Sequence, residues 1–277
     1  MALHSLKEAI RLLKTMPVLW LTGIAAGSLA AAEILLSVWG DPFYAERIWL
    51  LQILVLPFFV AGGYGVIRGG KTGISAYIQQ GFAHYFQVLL PGILIFLAGI
   101  LTVFLVLIPL TLAGISGDIA TLTFVSAGVM IPILFFTFFY DTAAVMEDRK
   151  VFESLLRSVE FVFANPARVI IFFLSALAVF VAIGFAGMIV LAFALAGQLE
   201  PLTAMDQSQL ESLGAMDLTA LLGTNGILMA AAVYGAVVML FTALLYPFKA
   251  VFYLSHTRAI PAAPAGEYDE KGRWFKY

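Results

Sequence analysis

Six runs of apolar residues, each long enough to cross a bilayer, leave this chain few choices of fold. They fall at roughly 17–39, 48–67, 88–115, 119–146, 167–197 and 225–255. A hydrocarbon core asks for about 17–25 residues, and longer runs are accommodated by tilt. Inside it every backbone N–H and C=O must find its partner within the segment or in a closed barrel. Runs of this length therefore predict an all-α, polytopic integral membrane protein. Composition matters at one point: only 12% of residues are charged, against about 25% in soluble domains, so no stretch is left to bury a soluble core. A single six-helix membrane domain is expected over 1–259, followed by a cytoplasmic tail over 260–277. The first run follows Lys7, Arg11 and Lys14 and contains Leu29-Ala30-Ala31, as a signal peptide would. It is expected to remain as a helix.

Lysine and arginine orient the bundle. Of the fifteen, all but Arg47 fall at one end of the predicted spans, around 7–14, 68–71, 149–168, 249–258 and 271–276. The opposite loops hold Asp41, Glu46, Asp118, Glu200, Asp206, Glu211 and Asp217. The positive-inside rule then puts both termini in the cytoplasm, with the protein multi-pass in the cell membrane.

A unit recurs along the chain. Ahead of the fifth span, Phe152, Leu155, Leu156, Val159, Val162 and Phe163 gather on one helical face, opposite Glu153, Arg157, Ser158 and Glu160. Glu153 and Arg157 stand at a pairing distance of four residues. Ahead of the third span, Ile74, Tyr77, Ile78, Phe82, Tyr85 and Phe86 oppose Ser75, Gln79, Gln80 and His84; ahead of the first, Leu3, Leu6, Ile10 and Leu13 oppose Lys7, Glu8, Arg11 and Lys14. Pro17, Pro91 and Asn165-Pro166 follow the three stretches, and Pro57, Pro132 and Pro247 lie in the second span of each unit. The expectation is three amphipathic interfacial helices in a pseudo-threefold repeat of interfacial helix, span and span, at about 1–68, 69–146 and 147–259. The loop around 198–225, with Leu202, Met205, Leu210, Leu213, Leu218 and Leu221, is expected to form a short helix on the outer surface.

Ionisable residues inside spans are costly and point to function or pairing. Asp141 and Lys249 each lie about 10–14 Å from the basic end at the helical rise, a depth that suits a charge pair across facing helices. Glu33 is expected to reach the outer interface. Lys7, Arg11, Lys14, Arg149, Lys150, Arg157 and Arg168 are the candidate contacts to lipid headgroups. Gly65-Val66-Ile67-Arg68-Gly69-Gly70-Lys71-Thr72 fits the phosphate-binding-loop pattern, but a span rather than a strand precedes it, so a glycine turn is expected and nucleotide is not. His4, His84 and His256 have no metal-ligand spacing, and there is no cysteine. No cofactor and no catalytic group is assigned. Gly23 and Gly27 mark a close helix approach, expected within the bundle.

The run from Asp141 to Glu147-Asp148, then Ser154-Leu155-Leu156-Arg157-Ser158 and Asn165-Pro166, resembles poorly characterised prokaryotic six-span families related to the membrane domain of some glycerophosphodiester phosphodiesterases. The resemblance implies a helical membrane domain and no reaction, since the phosphodiesterase barrel is absent. The threefold layout is also similar to that of mitochondrial-type carriers in permuted order. The carriers' charged motif after the kink proline is missing at Pro57 and Pro132.

The function expected from these residues is that of a non-enzymatic membrane protein acting through lipid contact or as an accessory subunit of a membrane complex. Lipids, a membrane-protein partner or a second copy are its expected partners, and nucleic acid is not. The alternative is a transporter of a small solute or lipid, with a path between the kinked spans 2, 4 and 6. A polar cavity reaching Asp141 and Lys249 would favour transport; a sealed apolar interior would favour lipid contact.

Overall fold

The structure, a computed structural model, describes residues 2–40, 42–114, 118–203, 215–257, 267–268 and 274–275. Its helices are α1 (Ala2–Thr15), α2 (Trp20–Trp39, entered through a 3₁₀ turn at Pro17–Leu19), α3 (Pro42–Ala45), α4 (Ile48–Gly69), α5 (Ile74–Leu112) and α6 (Ile119–Thr137). They continue with α7 (Tyr140–Met146), α8 (Val151–Ala164), α9 (Pro166–Ala194), α10 (Ala196–Thr203) and α11 (Ala215–Thr257). Two two-residue strands, β1 (Glu267–Tyr268) and β2 (Trp274–Phe275), pair antiparallel in the tail. Among the described residues, six stretches are long and apolar enough to cross a membrane: Pro17–Trp39, Phe43–Gly69, Ile74–Leu112, Ala120–Met146, Pro166–Ala194 and Thr219–Thr257. The chain is thus an all-α, multi-pass architecture. The expected short helix in the loop before the last span lies largely outside the described residues.

The three amphipathic stretches differ from one another. α1 and α8 are separate helices, each ended by a non-helical residue before a proline: Met16 at φ −127°, ψ 75° and Asn165 at φ −134°, ψ 43°. Asn165 closes α8 by donating its side-chain Nδ2 to the Phe161 carbonyl at 3.2 Å. The middle stretch is not a separate helix, a departure from the expected interfacial helix ending before Pro91. α5 runs unbroken through Pro91. The reason is its packing on α4, which begins before the proline and continues beyond it. Gly62 lies against Tyr77 and Gly81 against Phe58, while Trp49 meets Phe96 at 5.9 Å between ring centroids. The Tyr77 hydroxyl donates to the Phe59 carbonyl at 2.6 Å and the Tyr85 hydroxyl to the Leu54 carbonyl at 2.8 Å. A break at Pro91 would part these two contact sets.

Between α2 and α11 the backbones nearly touch. A Cβ on Gly23 would strike the Met239 carbonyl oxygen, and one on Gly27 the carbonyl oxygen of Gly235. The small-residue face is therefore an internal packing face, the geometry such stripes permit where lipid gives helices no hydrophobic reason to associate.

Packing is concentrated at one end. Arg68 Nη1 donates to the Val145 carbonyl at 2.8 Å, Gln87 Nε2 to Asp148 Oδ1 at 3.1 Å and the Tyr253 hydroxyl to Glu147 Oε1 at 2.7 Å. These bonds gather the ends of α4 and α11, the start of α5 and the α7–α8 connection, where the cations also lie. Phe139, Phe161, Phe172, Phe248, Phe252 and Tyr253 are fully buried there, with ring centroids 4.5–6.1 Å apart. Ala2 and Ala9 of α1 pack onto the same cluster. Toward the opposite end the helices present large apolar side chains outward, among them Leu112 (84% exposed), Phe124 (81%) and Phe193 (81%).

Candidate functional site

The fourth span is interrupted six residues after Pro132, and the interruption shapes the site. α6 ends at Thr137 and α7 starts at Tyr140. Ser158 of α8 fills the gap: its hydroxyl accepts from the Phe139 N–H at 3.0 Å and donates to the Phe136 carbonyl at 2.8 Å. A break in lipid must have its freed groups satisfied by protein, and one serine satisfies a donor and an acceptor. The step sets Asp141 in the first turn of α7, buried, facing Lys249 of α11.

Asp141 Oδ1 and Lys249 Nζ are 2.6 Å apart, and both residues are buried. The same Oδ1 accepts from the Thr142 N–H at 2.6 Å and from the Thr142 hydroxyl at 3.2 Å. Thr142 in turn reaches the Tyr64 hydroxyl at 3.2 Å, and the Tyr64 ring lies 5.8 Å from that of Tyr246. Lys249 Nζ stands 4.1 Å from the Phe138 centroid and 5.8 Å from that of Phe139, close enough for both ring faces to stabilise the ammonium. A buried charge needs a partner and further bonds to offset its desolvation. Lys249 has a carboxylate and two rings.

A cleft of about 410 Å³ leads to this pair between α4 and α5. Trp49, Gln52, Leu56 and Val60 form one wall and Val88, Gly92 and Phe96 the other, with Tyr140, Asp141 and Tyr246 at the deep end. Trp49 to Val60 is about 16 Å of helix. Gly92 has a specific place here, since a Cβ on it would crowd the Tyr140 hydroxyl. The lining is mostly apolar and, among the described residues, holds no lysine or arginine; Asp141 lines it, and Lys249 does not. Gln52 Nε2 donates to Glu33 Oε2 at 3.2 Å at the end remote from the ion pair, so exposed Glu33 is tied to the cleft wall.

A second polar layer lies toward the basic end, centred on Glu147. Arg157 Nε donates to Glu147 Oε1 and Oε2 at 3.1 and 3.0 Å, Arg149 Nε to Oε2 at 3.2 Å, and Arg157 Nη1 to Glu160 Oε2 at 3.4 Å. Burial works against the Arg157 charge, but the hydrogen bonds and negative charge of Glu147 outweigh it and raise the guanidinium pKa above its ordinary value. This corrects two expectations. Arg157 is 6% exposed and is no headgroup contact, and its partner is Glu147 rather than Glu153, whose carboxylate instead caps the N–H of Lys150 at 3.4 Å. Arg157 and Ser158 of the polar face of α8 are buried, and Ser154 with them, where the connection from α7 brings Glu147 against Arg157.

The other cations expected at headgroups are at the surface. Lys7, Arg11 and Lys14 are exposed on α1, with Arg11 paired to Glu8 at 3.1 Å. Lys150 and Arg168 are exposed, the latter 3.3 Å from Asn165 Oδ1, while Arg149 is half-committed to Glu147. The phosphate-loop pattern falls on the end of a helix: Gly65 is buried against Gln80, and Gly70 takes the left-handed conformation (φ 65°) that closes α4. His84 lies 3.9 Å from Asp148, and buried His256 bonds the Phe252 carbonyl at 2.8 Å. Among the described residues no three His, Asp or Glu side chains converge as metal ligands.

Sequence reasoning passed over Gln52, Tyr64, Tyr246 and Tyr253, and gave Tyr140 and Glu147 no partner. Most carried a readable signal. A tyrosine inside a span brings a hydroxyl that needs a partner, and Tyr246 and Tyr253 stand three before and four after Lys249, on its own helix face.

A family model described as "Domain of unknown function (DUF7847)" matches residues 1–256. No curated protein and no solved structure matches the chain.

Proposed function

Because the chain belongs to the DUF7847 family, a domain of unknown function matched over residues 1–256, we propose its role from the cleft: it is a non-enzymatic membrane protein that takes an amphiphile from the surrounding membrane. The observation that carries this reading is a mostly apolar cleft, about 16 Å long by helical rise, that ends on a buried carboxylate. Apolar walls suit an acyl chain, and a polar end suits a head. The carboxylate is already committed to Lys249 at 2.6 Å, which fits it for recognition rather than for proton abstraction. With both termini cytoplasmic, the exposed cations Lys7, Arg11, Lys14, Lys150 and Arg168 meet anionic headgroups, and the cleft opens in the outer half of the bilayer.

Native mass spectrometry of the gently extracted protein, with lipid analysis, tests the reading. Leu56→Trp should fill the cleft and lower the retained amphiphile at least tenfold. Equal retention in this variant would assign the bound lipid to the basic surface and end the proposal.

Transport of the same amphiphile is the second reading, favoured by the two polar layers between the cleft and the basic end. In that case the Asp141–Lys249 and Glu147–Arg157 pairs are locks that must part. Movement of a labelled amphiphile between leaflets of reconstituted vesicles distinguishes a carrier from a binding protein.

A further inference from the structure

We infer that the cleft selects an amphiphile with an ammonium head. The inference rests on the cleft-binding reading and adds the chemistry of the ligand. All the bonds Asp141 makes to described residues use Oδ1: Lys249 Nζ, the Thr142 N–H and the Thr142 hydroxyl. Oδ2 has no partner among them, in a carboxylate that lines the cleft. Tyr140 and Tyr246 line the same end, and neither hydroxyl has a hydrogen-bond partner among the described residues. The deep end therefore offers three oxygens able to accept.

The positive charge is on the far side. Lys249 sits against Phe138 and Phe139, outside the lining, and among the described residues no other cation lines the cleft. A phosphate or carboxylate head would meet Asp141 with no positive wall to answer it, in a medium where like charges repel strongly. A hydroxyl head has one hydrogen to donate. A primary ammonium has three and carries the complementary charge. At the remote end, Glu33 on Gln52 adds a second negative group on the way in. The apolar side chains of Ile53, Leu56, Ile93 and Phe96 remain for the chain.

The test compares single-chain amine, alcohol and phosphate amphiphiles of equal length, with ethanolamine as the chainless control, binding to the full-length protein in nanodiscs. The expected result is that the amine binds at least tenfold more tightly than the other two, and that ethanolamine binds far more weakly. In Asp141→Asn/Lys249→Met, which removes both charges, amine should fall to the level of alcohol while alcohol binding persists. Tyr246→Phe, which leaves the ion pair in place, should lower amine affinity several-fold. Equal binding of amine and alcohol would overturn the head selectivity and leave the cleft reading standing; so would tightest binding of the phosphate. Selectivity unchanged in both variants would place the head elsewhere and overturn the inference. Ethanolamine binding as well as the amine, or no amphiphile binding at all, would remove the cleft reading itself.

Discussion

Asp141 and Lys249 illustrate what one contact does for a chain whose interior solvent is lipid and protein. Neither charge is supportable alone, and at 2.6 Å each is the other's partner. Removing one partner from such a pair costs about 3–5 kcal/mol, whereas replacing both with groups of matched volume is often neutral. Asp141→Asn should therefore destabilise the protein by about 3–5 kcal/mol, and Asp141→Asn/Lys249→Met should recover most of that loss. Unfolding in mixed micelles measures both. A double variant as unstable as the single would mean that Lys249 draws its stability from Phe138 and Phe139 instead. The depth of the two residues was legible from counting along their spans. What surrounds them was not: nothing in spacing shows that Thr142 and Lys249 crowd one carboxylate oxygen and spare the other.

At the scale of the element, α8 shows how a correct periodicity can be docked the wrong way round. Phe152, Leu156 and Phe163 of the apolar stripe are exposed. The other face carries Arg157 and Ser158, which an isolated helix would leave to water, and Ser154 is buried beside them. In the bundle that face meets Glu147, Phe139 and the break in the fourth span, so its polar groups become internal bonds. Ser158 offers the clearest test. Ser158→Ala leaves the Phe139 N–H without its acceptor inside the protein, which should cost about 1–3 kcal/mol, read as a lowered unfolding midpoint. A cost below that range would mean that α6 and α7 can join into one helix without it. α5 fails in the opposite direction. Pro91 looks like Pro166 in sequence, but Leu90 lacks the side-chain amide with which Asn165 closes α8, and α4 holds α5 straight across the proline.

Across the whole molecule the six spans and the clustering of cations were legible because both follow from hydrocarbon as solvent, which acts on long averages rather than on single contacts. The uneven packing was not, since an outward-facing apolar residue and a buried one have the same hydropathy. The fold is tight at the basic end and open toward the other, so the meaning of the cleft depends on which side each end faces. The chain lacks cysteine, which makes single-cysteine labelling clean. Lys7 and Lys71 are exposed at the basic end and Glu46 is exposed at the other. With both termini cytoplasmic, an impermeant maleimide should label Glu46→Cys in intact cells, and Lys7→Cys and Lys71→Cys only after lysis. The reverse pattern would turn the molecule over. The basic face of α1 would then meet the outer leaflet, and an ammonium-headed amphiphile would have to enter the cleft from the cytoplasmic one.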